Sequence, residues 1–363
     1  MPRNFGLDCV RAFSIWLVIL QHAGIEIKGL GPLKTGSIGV EIFFVLSGFL
    51  IGGILLKEVD KDKPARDKLL SFWIRRWLRI LPLYYALLIL KFVLIDHSAG
   101  WHIFTYFIFL QNNFYGINFF PVSWSLVIEE WFYLFAPVFL LLLHKNVKSR
   151  DKILIAIVFF MIFENIIRFA YVYRWNVPYQ GVGGNFPFRF DSLFLGVTLA
   201  YLKHYGYPSY KKLESGFVFI TGLILLASYL FLFHTWASPV YRIDTLLFPR
   251  TIGFFLLSFC ITLMIPFLAK LPRPGTTKPG PRLAYVFITQ TSILTYAIYL
   301  THSLVFSVTI NNLLIPVQAV RIILGITATY LLSFFVYHYF EKPFLNLREV
   351  LAARSQTNSK RAR

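Results

Sequence analysis

Long apolar runs alternate with short polar stretches from one end of the chain to the other. A helix needs about 20 mostly apolar residues to cross the hydrocarbon core of a bilayer. Runs suited to this occur at 7–26, 38–56, 77–95, 125–143, 153–171, 187–203, 215–233, 249–268, 284–306 and 318–340. They predict an all-α fold: a polytopic membrane bundle of about ten transmembrane helices. The run Ile103–Leu110 is too short to cross and reads as a re-entrant or interfacial segment.

The polar stretches then set the orientation. With a cytoplasmic N-terminus, 26 Lys and Arg fall in the inside segments and four (Lys28, Lys34, Arg174 and Arg242) in the outside ones. Short cytoplasmic loops collect positive charge, so both termini are expected in the cytoplasm. The stretch 96–124 has no Lys or Arg, as an outside loop should. The first run is read as a retained span, because Asp8 and Arg11 interrupt it and no small-residue cleavage site follows. A transmembrane domain is expected over 1–345. A basic cytoplasmic tail over 346–363, close to anionic headgroups, is expected to be disordered.

Composition agrees with the apolar pattern and excludes other classes. Apolar residues make up 57% of the 363 residues and charged ones 15%, against about 25% charged in soluble domains. The net charge of +19 would suit a nucleic acid. The basic residues lie in short loops instead of on one face, so no nucleic-acid partner is expected and the lipid bilayer is. Cys9 and Cys260 sit in apolar runs without disulfide or metal-ligand spacing, and no metal is expected.

Charge enters the functional picture where it costs most. An ionisable group at membrane depth costs on the order of 3 kcal/mol or more, yet the spans carry many. Arg11 and His22 are eleven residues apart, three turns plus about 20°, so they share one face of the first span about 16 Å apart. One reading is a cation that grips an anionic cytoplasmic donor, with a base further in. The other is a snorkelling arginine and a core histidine. Glu41, at a similar depth in the second span, either orients the His22 ring as a neighbouring carboxylate does or pairs with Lys34.

The same two-sided reading holds further along. Arg76 and Arg79 share a face at the cytoplasmic end of the third span, for phosphates or for positive-inside anchoring. Trp124, Glu129 and Tyr133 open the fourth span from outside. There, acidic groups suit a helix N-terminus, Ser123 or Ser125 suits a cap, and aromatic rings suit either an interfacial belt or sugar stacking. Glu129 and Glu130 point about 100° apart, so one of them at most faces a site. Arg189 and Asp191 either face an acceptor pocket or cap and pair. His302, in the ninth span, serves either a structural hydrogen bond or substrate. Glu341-Lys342-Pro343 should end the last helix.

Taken in order, these segments resemble the acyltransferase-3 family of membrane acyltransferases, over Leu7 to about Pro343. The matching motifs are Arg11-x10-His22, Gly39-Val-Glu-Ile-Phe-Phe-Val-Leu-Ser-Gly-Phe-Leu50, Arg76-x-x-Arg79-Ile-x-Pro82, Trp124-Ser-Leu-x-x-Glu129 with Phe132-Tyr133, Tyr299-Leu-x-His302 and Glu341-Lys-Pro343. Two positions depart: Glu41 stands where aspartate is common, and Trp131 where glutamine is. The resemblance implies an acyl-CoA donor, acetyl-CoA by default, and a hydroxyl of a glycan, glycolipid or lipid-linked sugar as acceptor. It assigns His22 and Glu41 to catalysis and Arg11, Arg76 and Arg79 to the donor. Trp124, Glu129, Tyr133 and His302 go to the acceptor, and Arg189 joins them by its position at the start of a span, not by a family motif. No hydrolase-like domain follows the last span, so a stand-alone transferase of a bacterial inner membrane is expected. The competing class is a secondary transporter or flippase. It often shows internal repeats and paired broken helices; no such repeat is seen, and it gives Arg11 and His22 no specific job.

Overall fold

The computed structural model describes residues 3–25, 35–114, 119–237, 243–275, 279–312, 317–348 and 350–351. Lys28, Lys34 and Arg242, and the tail beyond residue 351, lie outside them. Helices dominate, and no strand occurs among the described residues. Ten longer helices are named here in chain order: α1 Phe5–His22, α2 Thr35–Val59, α3 Ala65–Leu94, α4 Trp124–Asn146, α5 Arg150–Trp175, α6 Phe190–His204, α7 Gly216–Ala237, α8 Ile252–Leu268, α9 Pro279–Phe306 and α10 Gln318–Val336.

Eight helical stretches, all but α6 and α8, are long and apolar enough to cross a membrane. The segments expected at 187–203 and 249–268 form helices of 15 and 17 residues, roughly 23 and 26 Å against a core of about 30 Å. Proline explains the shortening. Pro187 lies in a 3-10 turn, Phe186–Phe188, before α6, and Pro249 lies in a separate short helix, Leu247–Arg250, before α8. The run at 103–110 forms a five-residue helix, Ile103–Phe107.

Helix ends follow local chemistry. Asn4 caps α1 by accepting from the Leu7 amide at 3.0 Å, and Ser149 caps α5 by accepting from Lys152. Asn176 ends α5 in the left-handed region, φ 47°, a conformation Asn tolerates well. Neither serine expected to cap α4 is seen in that role. Ser123 donates to the Phe120 carbonyl, and Ser125 bonds Tyr299. Pro343 does not stop the last helix. A π turn, Tyr337–Glu341, comes first, and helix continues to Arg348. The ring of Pro343 would clash with the carbonyl four residues back, which lies inside that wider turn, so the helix runs past the boundary expected at 346.

The chain divides into two compact units. The first holds Met1–Leu56 and Val147–Thr295, with α1, most of α2, α5 to α8 and the first part of α9. Here α8 packs on α7, α6 and α1, and α5 packs on α6. Glycine lets α2 and α6 touch backbone to backbone. A Cβ at Gly48 would lie 1.9 Å from the Leu193 carbonyl oxygen, and one at Gly196 2.1 Å from that of Val45. Small residues permit such close approach between membrane helices.

The second unit holds Lys57–Asn146 and Tyr296–Arg363, with α3, α4, the rest of α9 and α10. Side-chain donors pin its backbone. Pro137 cannot donate to the Tyr133 carbonyl four residues earlier, and the Trp73 indole N–H takes that carbonyl at 2.9 Å. Tyr84 and Tyr85 donate to the carbonyls of Tyr106 and Phe107 at 3.1 and 2.8 Å, and Tyr296 donates to that of Ile80 at 2.7 Å.

Candidate active site

In the first unit, His22 is the last residue of α1 and is exposed. Its Nδ1 lies 2.9 Å from the Val18 carbonyl oxygen. A carbonyl only accepts, so Nδ1 carries the hydrogen, and Nε2 is the basic nitrogen of the neutral ring. The start of α2 is tied to this end of α1. The Gly36 amide donates to Gln21 at 2.8 Å, and the Thr35 hydroxyl donates to the Leu17 carbonyl at 3.1 Å.

Glu41 does not take the orienting role expected of it. It lies five residues beyond Gly36, about 8 Å further along α2, and turns toward α6 and α8. Its carboxylate pairs with Arg189 and accepts from the hydroxyls of Ser192 at 3.0 Å and Ser258 at 2.5 Å. The main chain of α1 holds the imidazole instead. Arg189 is corrected with it: at 1% exposure, bound to Glu41 and donating to the Gly183 carbonyl at 3.1 Å, it does not line an open acceptor pocket.

Asp191, the neighbour of Arg189 in sequence, turns to α5. It pairs with Arg168 at 2.8 Å, both side chains at 0% exposure, and Asn165 donates to it at 3.3 Å. Arg168 also donates to the Phe188 carbonyl, and Glu164 accepts from the Phe190 amide at 2.8 Å. Sequence reasoning gave Glu164 and Arg168 no role. Their spacing of four, on one helix face, was the available signal.

Arg11 lies in the N-terminal half of α1, eleven residues before His22 and on the same face. Its Nη1 donates to Asp8 Oδ1 at 3.0 Å. Asp8, 2% exposed, also accepts from Arg3 at 2.9 Å and from Ser292 at 2.7 Å. Asp8 was read only as an interruption of the first apolar run. It is the hub that fixes the arginine.

The remaining candidates belong to the second unit. Arg79 is exposed, and Arg76 lies 5.9 Å from the ring centres of both Phe72 and Tyr133. Arg75 pairs instead with Glu58 at 2.9 Å, and Lys61 joins it at 2.5 Å. Tyr133 donates to Glu129 at 3.0 Å, and Asn112 donates to the Trp124 carbonyl at 3.3 Å. Tyr299 is bonded to Ser125 at 2.6 Å and donates to the Val122 carbonyl at 2.8 Å, which ties α9 to the start of α4. His302 is 0% exposed, with Nδ1 3.1 Å from the Ile298 carbonyl and its ring between Tyr299 and Phe306. It fits the structural reading better than contact with a polar acceptor. No cluster of metal-ligating side chains occurs among the described residues.

Comparison with known proteins gives this geometry a family. The acyltransferase domain family (acyltransferase-3) matches residues 4–338. A Staphylococcus aureus (strain COL) protein named "Putative O-acetyltransferase SACOL0978" is 30% identical over 93% of this chain and 57% of its own length. The chain thus spans a little over half of such relatives. The peptidoglycan O-acetyltransferase OatA of Listeria monocytogenes is 35% identical over 42% of this chain and 26% of its own length. No solved structure matches the chain.

Proposed function

The chain belongs to the acyltransferase-3 family and is an integral membrane protein, and from that premise we propose that it moves an acyl group, acetyl by default, from acyl-CoA to a hydroxyl of a cell-envelope glycan. Peptidoglycan and lipid-linked or polymeric surface sugars are the acceptor classes. The names of its relatives support both acetyl and a glycan. The proposed topology has ten membrane segments, both termini in the cytoplasm and the inner membrane of a bacterium as its site.

One observation carries the mechanism. His22 is an exposed helix-end imidazole whose Nδ1–H is held by a main-chain carbonyl, which leaves Nε2 as the base. Nε2 takes the proton of the acceptor hydroxyl as its oxygen attacks the thioester carbonyl. The C–S bond breaks, and the coenzyme thiolate leaves with that proton. General-base help of this kind supplies about 10²–10⁴ in rate.

The other candidates take supporting roles in this reading. Arg11, held by Asp8, serves the donor phosphates, with Arg76 and Arg79 as the corresponding cations of the second unit. Trp124, Glu129 and Tyr133 offer stacking and hydrogen bonds to a sugar. Glu41 acts through Arg189 by fixing α2 against α6 and α8, and so holds the end of α1 on which His22 stands.

The test is to express wild type and His22→Ala in a host of known glycan composition and weigh the glycans by mass spectrometry. An acyl-ester mass gain that disappears in the variant, at equal insertion, is expected. A gain that survives it removes His22 as the base.

A further inference from the structure

A second candidate site lies within the second unit. Glu130 is 3% exposed, and its Oε1 has no hydrogen-bond partner. An unpartnered buried carboxyl oxygen is expensive in an apolar setting, and this one lines a cavity of about 250 Å³. Four aromatic side chains share the lining: Trp77 and Tyr85 of α3, Trp131 of α4 and Phe109 of the connecting segment. Leucine and isoleucine side chains complete it, and no Lys, Arg or His lines it.

Two polar hydrogens of this wall are already engaged. Tyr85 donates to the Phe107 carbonyl at 2.8 Å, and Trp131 donates to the Phe109 carbonyl at 2.8 Å. These bonds fix the turn at Phe109, whose φ of 55° is unusual for an aromatic residue. The lining then presents one carboxyl group among aromatic ring faces and apolar side chains. Arg76 and Glu129 act electrostatically on Glu130 with opposite signs and do not line the cavity.

An acidic group among aromatic rings is complementary to an organic cation. We propose that the Glu130 cavity is a binding site for an alkylammonium group, the carboxylate pairing with the ammonium and Trp77, Tyr85, Phe109 and Trp131 surrounding its carbon substituents. The cavity is smaller than sites for drug-sized ligands, about 300–1,000 Å³, so it takes the ammonium end and not a whole ligand. The same chemistry comes from an aminolipid headgroup in the bilayer or from a free amine. It excludes phosphate-only headgroups, which would meet a carboxylate and no cation. The site does not depend on the transfer reaction, and its test needs no acyl transfer.

The full chain, purified in a neutral maltoside detergent, is titrated with tetramethylammonium chloride by calorimetry. Retention of phosphatidylethanolamine and phosphatidylglycerol is measured in parallel by native mass spectrometry. Saturable tetramethylammonium binding that weakens at least about tenfold in Glu130→Gln is expected and identifies the free cation as sufficient. Preferential retention of phosphatidylethanolamine without tetramethylammonium binding supports the site with a lipid as the source. Equal retention of both lipids with no tetramethylammonium binding overturns it, as does binding unchanged in Glu130→Gln. Glu130→Asp, which keeps the charge, and the wild-type lipid preference keep the test decisive where Glu130→Gln does not fold.

Discussion

Asp8 and Arg11 form an ion pair one turn into the first helix, Oδ1 to Nη1 at 3.0 Å, and the same oxygen accepts from the Ser292 hydroxyl at 2.7 Å. The carboxylate is buried while a quarter of the arginine side chain remains exposed. Asp8 therefore acts as a fixed counter-charge that holds one edge of the guanidinium and leaves part of it open to solvent.

Asp8→Asn should lower affinity for acyl-CoA while leaving the chemical step nearly intact. A charge-assisted hydrogen bond is worth about 1.5–3 kcal/mol, so KM for the donor should rise roughly tenfold with kcat changed little. Steady-state transfer kinetics in detergent would check this, and a fall confined to kcat would contradict it.

The buried pair of Arg168 and Asp191 gives a stability prediction. Arg168→Met leaves Asp191 as an uncompensated buried carboxylate, and breaking such a pair costs about 3–5 kcal/mol. The melting temperature in detergent should drop sharply. The double variant Arg168→Met/Asp191→Asn should recover part of the loss, and equal melting of single and double variants would show that the two groups are not coupled.

Glycines of α2 and α6 separate packing from propensity. Gly196→Ala puts a methyl group 2.1 Å from the Val45 carbonyl oxygen, whereas Gly53→Ala meets nothing within 4 Å. Yield of monodisperse protein should collapse for the first and stay at wild-type level for the second. Size-exclusion chromatography reads both.

Tyr299→Phe removes a hydroxyl that joins Ser125 and the Val122 carbonyl. Two buried partners are left behind, each worth about 1–3 kcal/mol when unsatisfied. Thermal stability should fall by a few kcal/mol, and Ser125→Ala should cost less because the Tyr299 bond to Val122 survives it.

Much of the architecture was legible because membrane helices announce themselves by length and apolarity. Eight of the ten expected spans appear as helices long enough to cross. The two shortened ones, α6 and α8, carry the flaw in their own sequence, since Pro187 and Pro249 break the runs near their starts. At Pro343 the proline signal misled. A π turn absorbs the steric conflict that normally ends a helix, and no local pattern marks that turn.

The site was legible as residue types and not as pairs. Spacing correctly put Arg11 and His22 on one face of α1, because helix geometry is local. It offered Glu41 either His22 or Lys34 as a partner on the strength of depth and proximity, although neither says which way a carboxylate turns. Glu130 was weighed only against Glu129 for a shared face. The cavity beside it forms only when α3, α4 and the segment at Phe109 come together.

The sequence by itself therefore determined the solvent the chain folds in, the positions of its helices and the one-dimensional register of its charges. Those follow from hydrophobicity, helical period and the cost of burying charge. Tertiary structure alone decided the long-range partners: Asp8 with Ser292, Glu41 with Arg189, Asp191 with Arg168, and Glu130 with an aromatic cavity. A buried charge must find compensation within a few ångströms, and which group lies that close is fixed by how helices cross, at contacts such as Gly48 and Gly196 between residues far apart in the chain.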